Sequence, residues 1–162
     1  MKIVSPELIK LIADQSFLPN GGYHGLDHWV RVLNNGRKLA KLTGANLKVV
    51  ELFAFFHDSK RLNEGHDPDH GSRGGQFASA MRGQCFDASH QEMEILMYAC
   101  EYHSNGLTEG DVTVQTCWDA DRIDLGRVGK FPDPKFLCTD AAKQPRLIEQ
   151  ANERAVWRFS RY

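Results

Sequence analysis

The chain has 162 residues, 41% hydrophobic and 25% charged, with a formal net charge of -1, which suits a globular protein with a real core. That near-neutral balance gives no reason to expect nucleic acid or an anionic membrane as a general partner, and no apolar run approaches a membrane span. The opening Met1-Lys2-Ile3-Val4-Ser5-Pro6 has no apolar signal core, and Cys85, Cys100, Cys117 and Cys138 form no C-x-x-C pair, so one domain over residues 1–162 with reduced thiols, in a cytoplasm, is expected.

Ser5-Pro6-Glu7 predicts a helix start, with Ser5 as N-cap and Pro6 in the first turn. Leu8, Ile9, Leu11 and Ile12 give that helix an apolar face, and Pro19-Asn20-Gly21-Gly22 breaks it. A second helix is predicted from about Gly25 to Leu42, on the spacing of Leu26, Trp29, Val30, Leu33 and Ala40. Thr43-Gly44-Ala45-Asn46 ends it and caps a third, Leu47 to about Lys60. This third helix is almost wholly apolar until it reaches His57-Asp58. Arg61 to Gly75 is a polar, glycine-rich loop, of a length that is usually functional or mobile. A fourth helix follows, from roughly Ser72 to Met81. The fifth, capped by Asp87 or Ser89, runs to about His103, and the sixth from Asp111 to about Leu125. Phe131-Pro132-Asp133-Pro134 reads as loop, and Leu147 to Phe159 as the C-terminal helix, about residues 145–160. No segment alternates with period two for long enough to be a strand, so the class is all-α, a bundle of about six or seven helices.

Helical phase sorts the polar residues. Val114, Cys117, Trp118, Asp121 and Leu125 share one face of the sixth helix, so Asp121 points inward and Asp119 lies on the other side. Met93, Leu96, Ala99, Cys100 and His103 share a stripe of the fifth; a lone histidine there is more often a hydrogen-bonded core residue than a ligand. His28 lies on or near a buried stripe, and His24 sits nearer the Gly21-Gly22 turn. His66-Asp67 follows no apolar helix and reads as a surface coincidence; His70 points either way, and His90 is solvated. The inward-facing set is His28, His57, Asp58 and Asp121. Two ionisable groups at the tip of an apolar helix need a partner. Two imidazoles and two carboxylates suit a divalent ion such as manganese, iron, zinc, cobalt or nickel, and are too nitrogen-rich for calcium. The lack of cysteine ligands speaks against a closed structural zinc site. An ion with open positions acidifies bound water and polarises a phosphoryl oxygen, which is hydrolytic chemistry.

The order His28, His57-Asp58, Asp121 in an all-helical chain resembles the HD-domain metal-dependent phosphohydrolase superfamily, over roughly residues 20 to 130. The resemblance implies a helical HD fold, a divalent metal (magnesium included) on those four side chains, and hydrolysis of phosphate esters, often nucleotides. Some members hold a second metal through extra histidines; His70 and His103 occupy compatible places, with Asp58 between two ions. His24, one turn from His28, is the candidate general acid; some cyclic-nucleotide phosphodiesterases of the superfamily use a similarly spaced histidine, followed there by asparagine and here by Gly25. Asp58, His24 and Arg61 form the expected catalytic group. Lys60, Arg61, Arg73, His70, His103 and Arg122 are the expected substrate contacts, with Arg61 the first choice and Arg73, on a lid-like loop, the second. The expected partner is a small phosphate ester or nucleotide, without nucleic acid or membrane, and a homodimer is compatible. The alternatives are a di-iron oxygenase of the same superfamily and a non-catalytic metal- or nucleotide-binding domain.

Overall fold

A computed structural model describes residues 3–18 and 20–157. Among them run seven α-helices: α1 (Pro6–Asp14), α2 (Leu26–Thr43), α3 (Leu47–Phe56), α4 (His70–Met81), α5 (His90–Tyr102), α6 (Val112–Arg122) and α7 (Pro145–Val156). Short 3-10 turns occupy Leu125–Val128 and Pro134–Phe136. Among the described residues the only β pairing is an isolated bridge between Arg82 and Phe86. No described helix is long and apolar enough to cross a membrane.

The caps are local chemistry. Ser5 accepts from Leu8 N, Asn46 from Lys48 N and Val49 N, and Asp111 from Thr113 N. Ser89 and Glu92 form a reciprocal capping box at the start of α5. These side chains satisfy amide donors that the first turn leaves unpaired.

Helix α3 is the axis. Every residue from Val49 to Phe56 is buried, and the helix packs on α2, α5 and α6, while α4 lies along α5. Phe53, Phe55 and Phe56 are fully enclosed, each burial worth about 1.5–3 kcal/mol. Glu51 is the one charge within that stretch, and Arg37 Nε reaches its carboxylate at 2.7 Å.

Three boundaries differ from the sequence expectation. Helix α3 stops at Phe56 rather than Lys60, because the Phe56 carbonyl accepts from Ser59 N (3.2 Å) and Ser59 Oγ (2.8 Å), which closes a tight turn. His57 and Asp58 therefore sit in the turn that ends the helix. Helix α4 begins at His70, two residues before Ser72, and helix α6 ends at Arg122, after which Leu125 starts a 3-10 turn. Helix α7 starts at Pro145; Pro19 and the expected helix end at Phe159 lie outside the described residues.

Two glycines set how closely α4 approaches. A Cβ on Gly71 would lie 2.0 Å from the Cys100 carbonyl oxygen, and one on Gly74 would lie 2.2 Å from the Phe56 carbonyl oxygen. With hydrogens there instead, α4 rests against the ends of α3 and α5, and its first residue, His70, reaches Asp58.

Candidate metal centre

The centre is built around Asp58, which is 2% exposed and uses its two oxygens differently. Oδ2 faces His28 Nε2 at 3.5 Å and His57 Nε2 at 3.4 Å. Oδ1 faces His70 Nε2 at 3.2 Å and His103 Nε2 at 3.4 Å. Asp121 Oδ1 completes the first group, 3.2 Å from His28 Nε2 and 3.7 Å from His57 Nε2. The histidines come from α2, the α3 turn, the start of α4 and the end of α5.

Each imidazole has its other nitrogen occupied. His28 Nδ1 donates to Asp124 Oδ2 at 2.6 Å, His57 Nδ1 to Phe53 O at 3.0 Å and His103 Nδ1 to Cys100 O at 2.6 Å, while His70 Nδ1 donates to Asp67 O. With Nδ1 protonated, neutral rings present bare Nε2 lone pairs to one another, His28 to His57 at 3.1 Å and His70 to His103 at 2.9 Å. Lone pairs that close repel unless a cation or proton lies between them. Asp121 Oδ1 is also buried without a hydrogen bond. Separations of 3.1–3.7 Å in the first group are those of atoms each about 2.1 Å from a shared ion. The residues therefore fit a divalent metal on His28, His57, Asp58 and Asp121, with His70, His103 and the other Asp58 oxygen as a second donor set. The phenyl ring of Phe53 stacks on His57, with centroids 4.8 Å apart, and steadies its plane.

The electrostatics describe a site short of positive charge. Burial and the Arg127 guanidinium push His28 down, but Asp121, Asp124 and Asp58 outweigh them and hold it up at about 9. Burial takes His57 the other way, to about 3, against the pull of Asp58 and Asp121. Burial would raise both aspartates; the neighbouring imidazoles, with Arg127 for Asp121, instead hold them well below the usual carboxylate range. A proton held on His28 occupies the place that the donor set offers a cation.

A cavity of about 310 Å³ opens over this floor, lined among others by His24, Arg61, Arg122 and Arg127. His24 Nδ1 pairs with Glu64 of the polar loop, and the His24 carbonyl accepts from Trp29 Nε1 at 2.8 Å. Burial lowers the His24 pKa against the charge of Asp58 and the hydrogen bond that Glu64 accepts. Arg61 Nε donates to Asp58 Oδ1 at 3.2 Å. Arg122 lines the cavity, but its Nη1 donates to Phe136 O at 2.9 Å and so fastens the segment that forms one wall.

Two sequence-predicted substrate contacts are not brought to the site. Lys60 turns outward, donating to Gln15 O at 2.7 Å and lying over the Phe17 and Phe77 rings. Arg73 is committed to both oxygens of Asp67, at 2.7 and 2.6 Å, and to Lys60 O at 3.1 Å. Asp67 is accordingly no surface coincidence: it is 8% exposed and anchors the loop, though His66 beside it is exposed. Asp119 is buried as well, accepting from Cys138 N, Thr139 N and Thr139 Oγ1 at 2.7–2.9 Å. His90 is exposed, as expected, beside Glu94.

Asp124, Arg127 and Glu64 escaped the sequence reading. Asp124 and Arg127 lie where α6 gives way to a 3-10 turn, so helical phase does not carry to them. Glu64 sits in a loop without periodicity. The aspartate spacing of Asp121 and Asp124, three apart, was the available signal for the second of them.

The helices and the donor set define a class: a helical domain with a buried histidine–aspartate centre. No protein-family model matches the chain, and no curated protein matches it. In structure it is similar to a predicted HD superfamily hydrolase from an uncultured Thermotogales bacterium, a crystal structure, with a TM-score of 0.69 and 24% identity. The match covers 98% of this chain and 91% of that one. The fold is that of an HD-domain protein, all-α with seven helices among the described residues.

Proposed function

We propose that the chain is a metal-dependent phosphohydrolase that cleaves a small phosphate ester, a nucleotide being one fitting class. One observation carries the reading: four imidazole Nε2 atoms converge on Asp58, whose two oxygens serve different histidine pairs, and the orphaned Asp121 Oδ1 faces the His28–His57 pair. The solved HD-fold neighbour is described as a predicted hydrolase, which agrees.

His28, His57, Asp58 and Asp121 would hold the metal, and His70 and His103 a second ion. A divalent metal supplies acidified water and charge stabilisation on a phosphoryl oxygen. The remaining work falls to the protein. Arg61 is held beside Asp58 by its Nε–Oδ1 bond and faces the cavity, where it attracts an anionic ester. Glu64 accepts from His24 Nδ1 and favours the imidazolium against burial; that doubly protonated form has the Nε2 proton that would pass to the departing oxygen. The loop that carries Glu64 is pinned by Arg61 Nη1, which donates to Asn63 O and Gly65 O at 3.3 and 3.0 Å.

The test is metal analysis of the purified protein beside a phosphate-ester screen with manganese, cobalt or magnesium. Asp58→Ala and Asp121→Ala should lose both metal and activity. Native-rate hydrolysis by either variant with metal still bound would overturn the reading. Turnover without oxygen separates hydrolysis from an oxidative reaction.

A further inference from the structure

We infer that the cavity is built for a phosphate monoester, and that Arg127 is a second phosphate-gripping residue facing Arg61 across the site. The inference rests on the phosphohydrolase reading above and narrows it from esters in general to one kind.

Arg127 is 5% exposed, and its fork is fixed by main-chain oxygens: Nε donates to Tyr23 O and Nη1 to Asp124 O, both at 3.1 Å. Its Nη1 also stands 4.0 Å from Asp124 Oδ2. Among the described residues Nη2 makes no hydrogen bond; its nearest carboxylate oxygen there, Asp121 Oδ1, is 3.6 Å away. Arg61 repeats the pattern. It is 9% exposed, Nε and Nη1 are spent on Asp58 Oδ1, Asn63 O and Gly65 O, and Nη2 makes no hydrogen bond among the described residues. Neither Nη2 is sealed away as Arg122 Nη2 is, and both residues line the same cavity. Two rigid guanidinium groups thus flank the carboxylate pair, Arg61 on the Asp58 side and Arg127 on the Asp121 side. Burying such charges without a bidentate carboxylate partner is costly, and an anionic ligand offsets that cost.

The cavity is lined by the apolar Leu125, Pro132, Phe136 and Leu137 as well as by His24, Arg61, Arg122 and Arg127. The rim carboxylate, Asp133, lies 3.5 Å from Lys135 Nζ. A volume of about 310 Å³ is at the small end of ligand cavities, roughly 300–1,000 Å³. A monoester carries up to two negative charges, three terminal oxygens and one organic group, which matches two guanidinium groups and a lining that is only in part apolar. A diester has one charge and two terminal oxygens, so it leaves one of the two guanidinium groups without a full partner.

The experiment uses the purified full chain with the metal it carries. Isothermal titration compares phenyl phosphate with diphenyl phosphate, and inorganic phosphate is titrated into wild type, Arg127→Gln and Arg127→Lys, with circular dichroism to check folding. The monoester should bind at least tenfold more tightly than the diester. Arg127→Gln should weaken phosphate binding at least tenfold, and Arg127→Lys should recover part of the loss. A diester bound as well as the monoester, or a folded Arg127→Gln that binds phosphate like wild type, would overturn the inference. Should Arg127→Gln not fold, the wild-type ester comparison decides alone. Absence of ester turnover counts against the hydrolase reading, while the titrations still judge the clamp.

Discussion

His28 Nδ1 stands 2.6 Å from Asp124 Oδ2, and both side chains are fully buried. Asp124 is itself held by Arg31 Nε at 2.7 Å, so the carboxylate cannot swing away. The pair fixes the His28 ring with Nε2 toward His57 and Asp121. Partners of this kind typically change metal affinity about 10–100-fold when lost. Asp124→Asn should therefore lower metal affinity by about that factor, measured by competition with a chelator. Wild-type affinity in a folded Asp124→Asn would show that the ring needs no such partner.

The division of labour in Asp58 predicts metal stoichiometry. His103→Ala removes a donor from the Oδ1 side alone, so it should cost one equivalent of metal per chain and leave the His28–His57 equivalent in place. Asp58→Ala serves both sides and should lose all of it. Elemental analysis per chain reads the difference; loss of every equivalent from His103→Ala would mean that the two donor sets are not separable.

Gly74 makes a packing prediction. A methyl there would meet the Phe56 carbonyl oxygen at 2.2 Å, which is backbone and cannot rotate aside. Gly74→Ala should cost about 1–3 kcal/mol by denaturant unfolding, the usual range for overpacking. Because the clash drives α4 outward, His70 should also move from Asp58. An unchanged denaturation midpoint would mean that α4 can shift freely.

Glu92 provides a pH signature away from the centre. It bonds Ser89 N at 2.8 Å, Asn46 Nδ2 at 3.0 Å and Lys48 Nζ at 3.1 Å. The Ser89 amide chiefly, with Asn46 and Lys48, outweighs burial and lowers its pKa from 4.5 to about 2. A folded-state pKa below the unfolded one means stability that is full above the unfolded value and lost as pH falls through the folded one. Glu92→Gln keeps an oxygen for the Ser89 amide but loses the charge, so it should be less stable than wild type at neutral pH by about 0.2–1 kcal/mol, as for a partly exposed ion pair. The gap should shrink between pH 4.5 and 2. A gap independent of pH would assign the loss to shape rather than charge.

Much of the helical order is legible in the residues because it is local. Ser5, Asn46, Ser89 and Asp111 cap their own first turns, and apolar spacing marks which face of each helix is buried. Phase brought His28, His57, Asp58 and Asp121 to inward positions, and those four side chains do come together. The same reasoning failed on Asp119, which is buried against the Cys138–Thr139 backbone, and on Asp67, which anchors a loop. Solvent or core is a property of a face only when nothing distant covers it.

Lys60 and Arg73 show the limit from the other side: their charge and nearness in sequence suggested the site, yet a backbone carbonyl and Asp67 claim them. Arg127 takes the cavity position instead, reached by a 3-10 turn that breaks the phase of α6. Hydrophobic periodicity therefore determines which side chains face inward, since each helix must bury one stripe to fold. Which inward groups meet is decided by tertiary packing, because residues such as His28 and Asp124 are 96 positions apart and touch only when turns and glycines set the helices at one distance.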